Sequence, residues 1–148
     1  MNMNRILIEL SESDRTDFGK VEFSTQSEEQ KVFSAIWSLE SQVNNGGFFQ
    51  YFISWDGDTA NYAPFALKRI GANASAVIVE RAIAAVSTEQ IPTEHDAREQ
   101  LMVALNADAR EKLETLSSEF YAYPDNLTEL LYQYVESHPE TFGIIQPA

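Results

Sequence analysis

Apolar residues recur at intervals of three and four along most of the chain, which is the spacing of one face of an α-helix. The clearest run is Val32, Phe33, Ile36, Leu39 and Val43. Ser27 and Gln30 precede it in a capping-box pattern, in which two side chains satisfy free N–H groups at a helix start. The pattern predicts a helix from about residue 27 to residues 44–47 (Asn-Asn-Gly-Gly), because Asn and Gly tolerate the backbone conformation that ends helices.

The same spacing predicts further helices beyond the Gly pair. Phe48, Phe52 and Trp55 lie at i, i+4 and i+7, which favours a short helix over 48–55. Later helices are expected at about 60–70, 74–86, 94–106, 107–121 and from 126 to a stop at Pro139. Thr93 and Asn126 are the expected N-caps of two of them, and the expected buried stripe of the helix over 74–86 is Val77, Ile78, Ala82 and Ala85.

Periodicity is weakest at the two ends of the chain. Ile6, Ile8 and Leu10 alternate only briefly before a polar run, so we interpret residues 1–26 as a weakly structured N-terminal arm with a short helix or an extended piece. Residues 27–142 form the helical domain and residues 143–148 a C-terminal tail. With no convincing strand pair and short connections, the sequence predicts an all-α protein, a compact single-domain bundle of six or seven helices.

Charge narrows the possible partners. The 148 residues include 23 Asp+Glu and 10 Lys+Arg, a formal net charge of −13. A polyanion repels nucleic acid, which is bound through Lys and Arg, so direct DNA or RNA binding is not expected. The imbalance is concentrated late in the chain: residues 89–148 hold 12 acids and 3 bases, while residues 1–88 hold 11 acids and 7 bases.

Composition also excludes several classes of protein. There is no Cys, so disulfides, thiolate zinc sites and cysteine nucleophiles are absent. No apolar run approaches the length of a membrane span or of a signal peptide, so we expect a cytoplasmic protein with no membrane partner.

The sequence offers little that points to catalysis. His95 and Glu99 lie at i, i+4 beside Glu94, but two ligands at that spacing are common by chance, and we interpret them as solvated helix residues. There is no nucleophile motif and no phosphate loop. We therefore expect no catalytic residue, no cofactor and no metal site. An aromatic group is expected in the core because no basic residues are interleaved with it: Trp37, Phe48, Phe49, Tyr51, Phe52 and Trp55.

Residues 37–52 (Trp-Ser-Leu-Glu-Ser-Gln-Val-Asn-Asn-Gly-Gly-Phe-Phe-Gln-Tyr-Phe) carry a specific resemblance. With its Val-Asn-Asn-Gly-Gly-Phe core, this segment resembles the signature of a bacterial family of small acidic helical proteins that includes DNA mimics. Similar stretches follow at 56–58, 66–72, 119–127 and 130–134, so the resemblance runs from about 27 to 142. It implies the all-helical fold, a role in DNA mimicry, and a possible homodimer with contacts over 48–55 or 142–145.

Mimicry requires carboxylates held in fixed positions, and helices provide them because residues three and four apart are neighbours on one side. If the last three helices lie side by side, their acids form a broad anionic surface. The residues expected to bind the partner are Asp96, Glu99, Asp108, Glu111, Glu114, Glu119, Asp125, Glu129 and Glu136.

Two functions remain open at this point. The partner implied by mimicry is a basic DNA-binding protein, such as a transcription factor, whose access to DNA is blocked. The alternative is a non-mimic binding module, an inhibitor or immunity-type protein with no DNA-related role. A high negative charge on its own also serves solubility.

Overall fold

The fold is all helical, as predicted. A computed structural model describes residues 2–145, and within this range there are no strands. The α-helices are α1 (Met3–Glu12), α2 (Glu28–Ile53), α3 (Ala63–Arg69), α4 (Asn73–Val86), α5 (His95–Val103), α6 (Ala107–Tyr121), α7 (Leu127–Glu136) and α8 (Pro139–Phe142). Two 3₁₀ helices span Phe23–Thr25 and Trp55–Thr59. Across the described range, no helix combines the length and apolar character that a bilayer crossing needs.

Helix α2 is the centre of the bundle. Helices α3, α5, α6 and α7 all pack on it, while α4 packs between α3 and α6, and α1 packs on α7. Its residues Val32, Phe33, Ile36 and Leu39 have no exposed surface. A helix that is covered on most sides must be apolar on most sides. The predicted run of apolar residues from 32 to 43 is therefore the core of the molecule.

A kink divides α2 at the glycine pair. The helical backbone is interrupted within residues 44–47, as predicted: Gly46 and Gly47 are non-helical, and a second helical segment follows, which ends at Ile53 instead of residue 55. Gly47 has φ +80°, a conformation that side chains with a Cβ rarely adopt. The N–H of Phe48 donates to Ser117 Oγ at 3.0 Å, so α6 supplies an acceptor at the break.

Two of the predicted helix caps are present. The N–H of Gln30 donates to Ser27 Oγ at 3.4 Å. The N–H of Glu129 donates to Asn126 Oδ1 at 3.2 Å. The third prediction, Thr93, is wrong, because α5 starts after Glu94 and has no side-chain cap.

The Gln30 side chain does not complete the capping box. Its amide donates to the carbonyl of Arg15 and accepts from the N–H of Asp17, both at 2.9 Å. This buried side chain therefore fastens the loop after α1 to the start of α2, a tertiary role that the local motif does not indicate.

The N-terminal region is more ordered than the sequence suggested. Residues 3–12 form α1, capped by Asn2, instead of a weakly structured arm. Leu7 and Leu10 are buried at i, i+3, whereas Ile8 faces outward. Because the apolar residues of this segment alternate only briefly, the sequence pattern did not indicate that Leu7 and Leu10 lie on one buried face of a helix. The expected tail begins after Phe142, which is buried, and residues 146–148 lie outside the described range.

The buried face of α4 also differs from expectation. Val77 is 51% exposed, while Val79 and Val86 are buried together with the expected Ile78 and Ala82. The sequence is compatible with both the expected and the observed buried face, because α4 is apolar around most of its surface. Packing against both α3 and α6 determines which face is buried.

Candidate protein-binding surface

Most acidic side chains in the second part of the molecule have no basic partner. Residues 89–148 contain twelve acids, all within the described range. Glu119 alone among them forms an ion pair with Lys or Arg there, with Arg81 Nη1 2.9 Å from Glu119 Oε1. Asp96 lies 3.5 Å from His95 Nδ1, a pair that is ionic only when the imidazole is protonated. Eleven carboxylates are therefore not neutralised by a Lys or Arg within 4.0 Å.

Arg98 explains part of this imbalance, because its charge is inside the protein. It is 1% exposed, and its guanidinium donates to the carbonyl oxygens of Phe52 and Ser54, each at 2.9 Å, and to that of Thr93. Burial lowers the pKa of Arg98, and the negative charge of Asp58 opposes that shift. The side chain thus ties the end of α2 to α5 and contributes no positive charge to the surface.

Sequence reasoning missed Arg98. The available signal was its position: it lies four residues before Met102, which is fully buried, and therefore on the buried face of α5. The same guanidinium accounts for the absence of a side chain at Gly57, since a Cβ there would lie 2.6 Å from Arg98 Nε.

The guanidinium of Arg110 also interacts with backbone carbonyl groups. It donates to the carbonyls of Leu105 and Val103 at 3.3 and 3.4 Å, and it lies 4.8 Å from the centre of the Phe49 ring. Positive charge is favourable at the C-terminal end of a helix, here α5. Like Arg98, Arg110 pairs with no carboxylate within the described residues, and both leave the acids around them unpaired.

The structure exposes seven of the nine predicted partner-binding residues and gives two of them internal partners. The exposed ones are Asp96, Glu99, Asp108, Glu111, Glu114, Glu129 and Glu136. They lie on α5, α6 and α7, but none of these helices packs mainly against another of the three. Each packs on α2, so the acids are distributed around the central helix instead of forming one side-by-side layer.

The acids of α6 point in two directions. Asp108 and Glu111 line a groove of about 560 Å³ between α4 and α6, together with Arg81 and Lys112. Glu114 lines a different groove, at the kink of α2. The α4–α6 groove therefore has mixed charge, whereas Glu114 lies apart from it.

Glu119 and Asp125 have structural partners. Both are half-buried. Asp125 Oδ2 accepts from the N–H of Ser75 at 2.8 Å and from its hydroxyl at 2.9 Å, which satisfies a free N–H in the first turn of α4. Glu119 connects α6 to α4 through Arg81.

Trp55 departs from the expected aromatic core. Phe48, Tyr51 and Phe52 are fully buried as predicted, but Trp55 is 74% exposed. Its indole stacks on the His95 ring, with centroids 3.7 Å apart and planes at 12°. His95 is thus a packed aromatic partner and not the solvated helix residue that the sequence suggested.

The two segments expected to support a homodimer are largely used inside the chain. Phe48, Phe52 and Phe142 are buried and not available to a second copy. Trp55 and Ile144, which is 69% exposed, are the large apolar side chains that these segments leave at the surface.

Comparison with known proteins gives one match. The family model described as DMP19-like protein matches residues 24–138, which is most of the chain and extends from just before α2 to just after α7. No curated protein and no solved structure matches this chain.

Proposed function

The chain belongs to the DMP19-like protein family, a family of DNA-mimic type, and we propose that it is an acidic binding protein that mimics the charge of DNA. Its partner is a cytoplasmic DNA-binding protein, such as a transcription factor, whose basic DNA-contacting face it occupies. DNA is thereby excluded from that face. This action requires neither catalysis nor a cofactor.

The observation that carries the proposal is the set of unpaired carboxylates between residues 89 and 148. A protein that binds DNA neutralises phosphates with Lys and Arg, and a mimic must offer comparable negative charge that is not already neutralised. Eleven of the twelve acids here meet that condition within the described structure. Seven of the eleven lie on α5, α6 and α7, which all pack on α2, so the backbone positions of these charges are fixed.

The exposed acids are the best candidates for direct contact. Glu129 and Glu136 are seven residues apart on α7, which places them on one face roughly 10 Å apart. Asp96 and Glu99 offer an i, i+3 pair on α5. Asp125 is a weaker candidate because its carboxylate already accepts two hydrogen bonds from Ser75.

Affinity capture tests the proposal. The chain is immobilised, exposed to bacterial cytoplasmic extract and eluted with a salt gradient, and the eluted proteins are identified by mass spectrometry. We expect a basic DNA-binding protein to leave at moderate salt. A neutral partner with no link to nucleic acid would contradict the proposal.

A matched pair of variants makes the capture specific. The triple variant Glu99→Lys, Glu111→Lys, Glu129→Lys is expected to retain much less of the partner. The control, Glu12→Lys, Asp14→Lys, Glu22→Lys, changes net charge equally at exposed acids of the N-terminal part. Equal loss in both variants would indicate a nonspecific charge effect and would contradict a defined binding surface.

Trp55 favours the second candidate function, a protein-binding module unrelated to DNA. Exposed Trp residues are frequent among the side chains that dominate protein–protein affinity. For such a module, Trp55→Ala abolishes capture while the triple charge variant retains it. For a DNA mimic, the triple charge variant has the larger effect.

A further inference from the structure

Three side chains with metal-ligating groups converge beside the start of α2. Glu29, His138 and Glu140 each offer one ligand atom, and these atoms all lie within 4.8 Å of one another. Glu29 is in the first turn of α2, His138 follows α7 and Glu140 belongs to α8. Glu29 is far from the other two in sequence, so tertiary packing forms the cluster.

The orientation of His138 suits coordination. Its Nδ1 lies 2.7 Å from the carbonyl oxygen of Tyr134. A carbonyl can only accept, so the proton belongs on Nδ1 and the lone pair is on Nε2. Ligating histidines are commonly held in this way, with the second ring nitrogen donating to a backbone carbonyl. The Tyr134 ring also packs on the imidazole, with ring centroids 4.2 Å apart.

The two carboxylates have no close ion-pair partner, and the nearby Arg69 pairs with Glu28 at 3.9 Å. Neither Glu29 nor Glu140 forms an ion pair with Lys, Arg or His within 4.0 Å in the described part of the chain. Carboxylates held this close repel each other unless a positive charge intervenes. A divalent cation would supply that charge.

The surrounding packing supplies support and a second polar group. Phe142 is buried against Phe33, with ring centroids 6.0 Å apart, which holds α8 against α2. The Tyr134 hydroxyl is buried and has no well-formed hydrogen bond among the described residues. Arg69 and Glu29 are among its charged neighbours, and burial is the main cause of its raised pKa.

We propose that Glu29, His138 and Glu140 bind one divalent transition-metal ion of the zinc class. One imidazole nitrogen and two carboxylate oxygens give three protein ligands, with a fourth position for water. The two negative charges balance the ion, and the nitrogen ligand favours zinc or cobalt over magnesium and calcium.

Binding requires only a small contraction. Ligand atoms about 2.1 Å from a tetrahedral zinc ion are roughly 3.4 Å apart. The ligand atoms, now within 4.8 Å of one another, need to approach by roughly 1 Å, and Glu29 and Glu140 are flexible side chains, one half-buried and one exposed. The bound ion then connects α8 to α2, so metal also raises thermal stability, because only the folded chain presents the complete site.

Cobalt titration of the untagged chain tests the site, with Co²⁺ as a coloured probe for zinc. We expect one saturable equivalent per chain, displacement by Zn²⁺ but not by Mg²⁺, and a higher Tm with Zn²⁺. Glu29→Gln and Glu140→Gln, shown to be folded by circular dichroism, are each expected to lower the affinity at least about tenfold.

Glu99→Gln is the matched control, because it removes a carboxylate four residues from the other histidine, His95. Its affinity for Co²⁺ is expected to equal that of the unmodified chain. The proposal is overturned if no saturable binding occurs, if the Glu29 and Glu140 variants bind as well as the unmodified chain, or if Glu99→Gln abolishes binding.

Discussion

At the scale of single residues, Arg98 shows how a charge can be structural. A buried guanidinium without an ion-pair partner is unfavourable unless its donors are satisfied. Here the donors are satisfied by carbonyl oxygens from the end of α2 and from the segment before α5. The Ser54 carbonyl also accepts from the N–H of Gly57 at 3.1 Å, so the carbonyls of Phe52 and Thr93 are the ones that rely most on Arg98.

Replacing Arg98 should therefore destabilise the fold. We expect Arg98→Met, which keeps an unbranched apolar stem but removes the guanidinium, to lower the free energy of unfolding by about 3 kcal/mol, because the carbonyls of Phe52 and Thr93 lose their donor. Urea denaturation measures the change. The control Arg5→Met, at an exposed i,i+4 ion pair, should change it by at most about 0.5 kcal/mol. Equal effects of the two substitutions would contradict a structural role for Arg98.

Two partly exposed tyrosines, Tyr62 and Tyr123, predict how the stability of the fold responds to alkaline pH. Burial raises the pKa of both Tyr62 and Tyr123 to about 12, against about 10 in the unfolded chain. A group whose pKa is raised by folding stabilises the fold below its unfolded pKa and loses that contribution as pH rises through the folded value. Stability should therefore fall between pH 10 and 12.

Thermal unfolding at a series of pH values tests this dependence. Tyr123→Phe removes one of the two groups, so its Tm should fall less steeply between pH 10 and 12 than that of the unmodified chain. The Tyr123 hydroxyl also donates to Glu40 at 2.8 Å, so the variant starts from a lower Tm at neutral pH. Identical slopes for the two proteins would contradict the assignment.

At the scale of elements, the kink of α2 depends on two glycines and one serine, since a Cβ at Gly46 would lie 2.7 Å from Gln50 Cβ. Gly47 has φ +80°, and a Cβ there would lie 2.9 Å from Ser117 Oγ, the atom that accepts from the Phe48 N–H. The strain and the close contact act together at this position.

Gly19 provides a matched control for that kink. It has a similar φ of +74°, but no atom lies within 4 Å of its added Cβ. We expect Gly19→Ala to cost about 1–2 kcal/mol from the backbone alone. Gly47→Ala should cost at least about 1 kcal/mol more, because its ψ of −174° lies in a region essentially restricted to Gly and because Ser117 must also move. Chemical denaturation measures the free energy of unfolding of both variants. Equal losses would show that the contact with Ser117 is unimportant.

The kink also shows what sequence reasoning could and could not reach. The Asn-Asn-Gly-Gly segment correctly indicated a break in the helix, but a local pattern does not distinguish an end from a kink. The difference lies in Ser117, which is 70 residues away from Gly47 and replaces a lost helical acceptor. Strong periodicity and side-chain caps, as at Ser27 and Asn126, were sufficient to place α2, α6 and α7.

The candidate sites divide in the same way. The nine acids of the candidate surface were predicted from charge and helical spacing, and seven of them are exposed. The partner of Asp125, the buried position of Arg98 and the approach of His138 to Glu29 are all tertiary, and no spacing in the sequence indicates them. Trp55 was assigned to the core because apolar aromatics usually belong there.

At the scale of the whole molecule, basic and acidic side chains have different roles. Arg98 and Arg110 bind backbone carbonyls, while the acids around them face solvent without ion pairs. Exposed charges of one sign steer a basic partner and are screened by salt. The binding that we propose should therefore weaken steeply as ionic strength rises.

This salt dependence gives a prediction for the triple variant Glu99→Lys, Glu111→Lys, Glu129→Lys. Its loss of affinity for the captured partner should be larger at low salt than at high salt, because screening removes the interaction that the substitutions reverse. Calorimetric titration at two ionic strengths measures it. A loss that is the same at both would indicate that the substitutions act through the fold.

Competition with DNA tests the central claim most directly. A fluorescent DNA duplex is first bound to the captured partner, and its anisotropy is followed as this chain is added. The account predicts complete release of the duplex at saturating chain, since both ligands occupy one basic face. A stable ternary complex, with the duplex still bound at saturation, would contradict it.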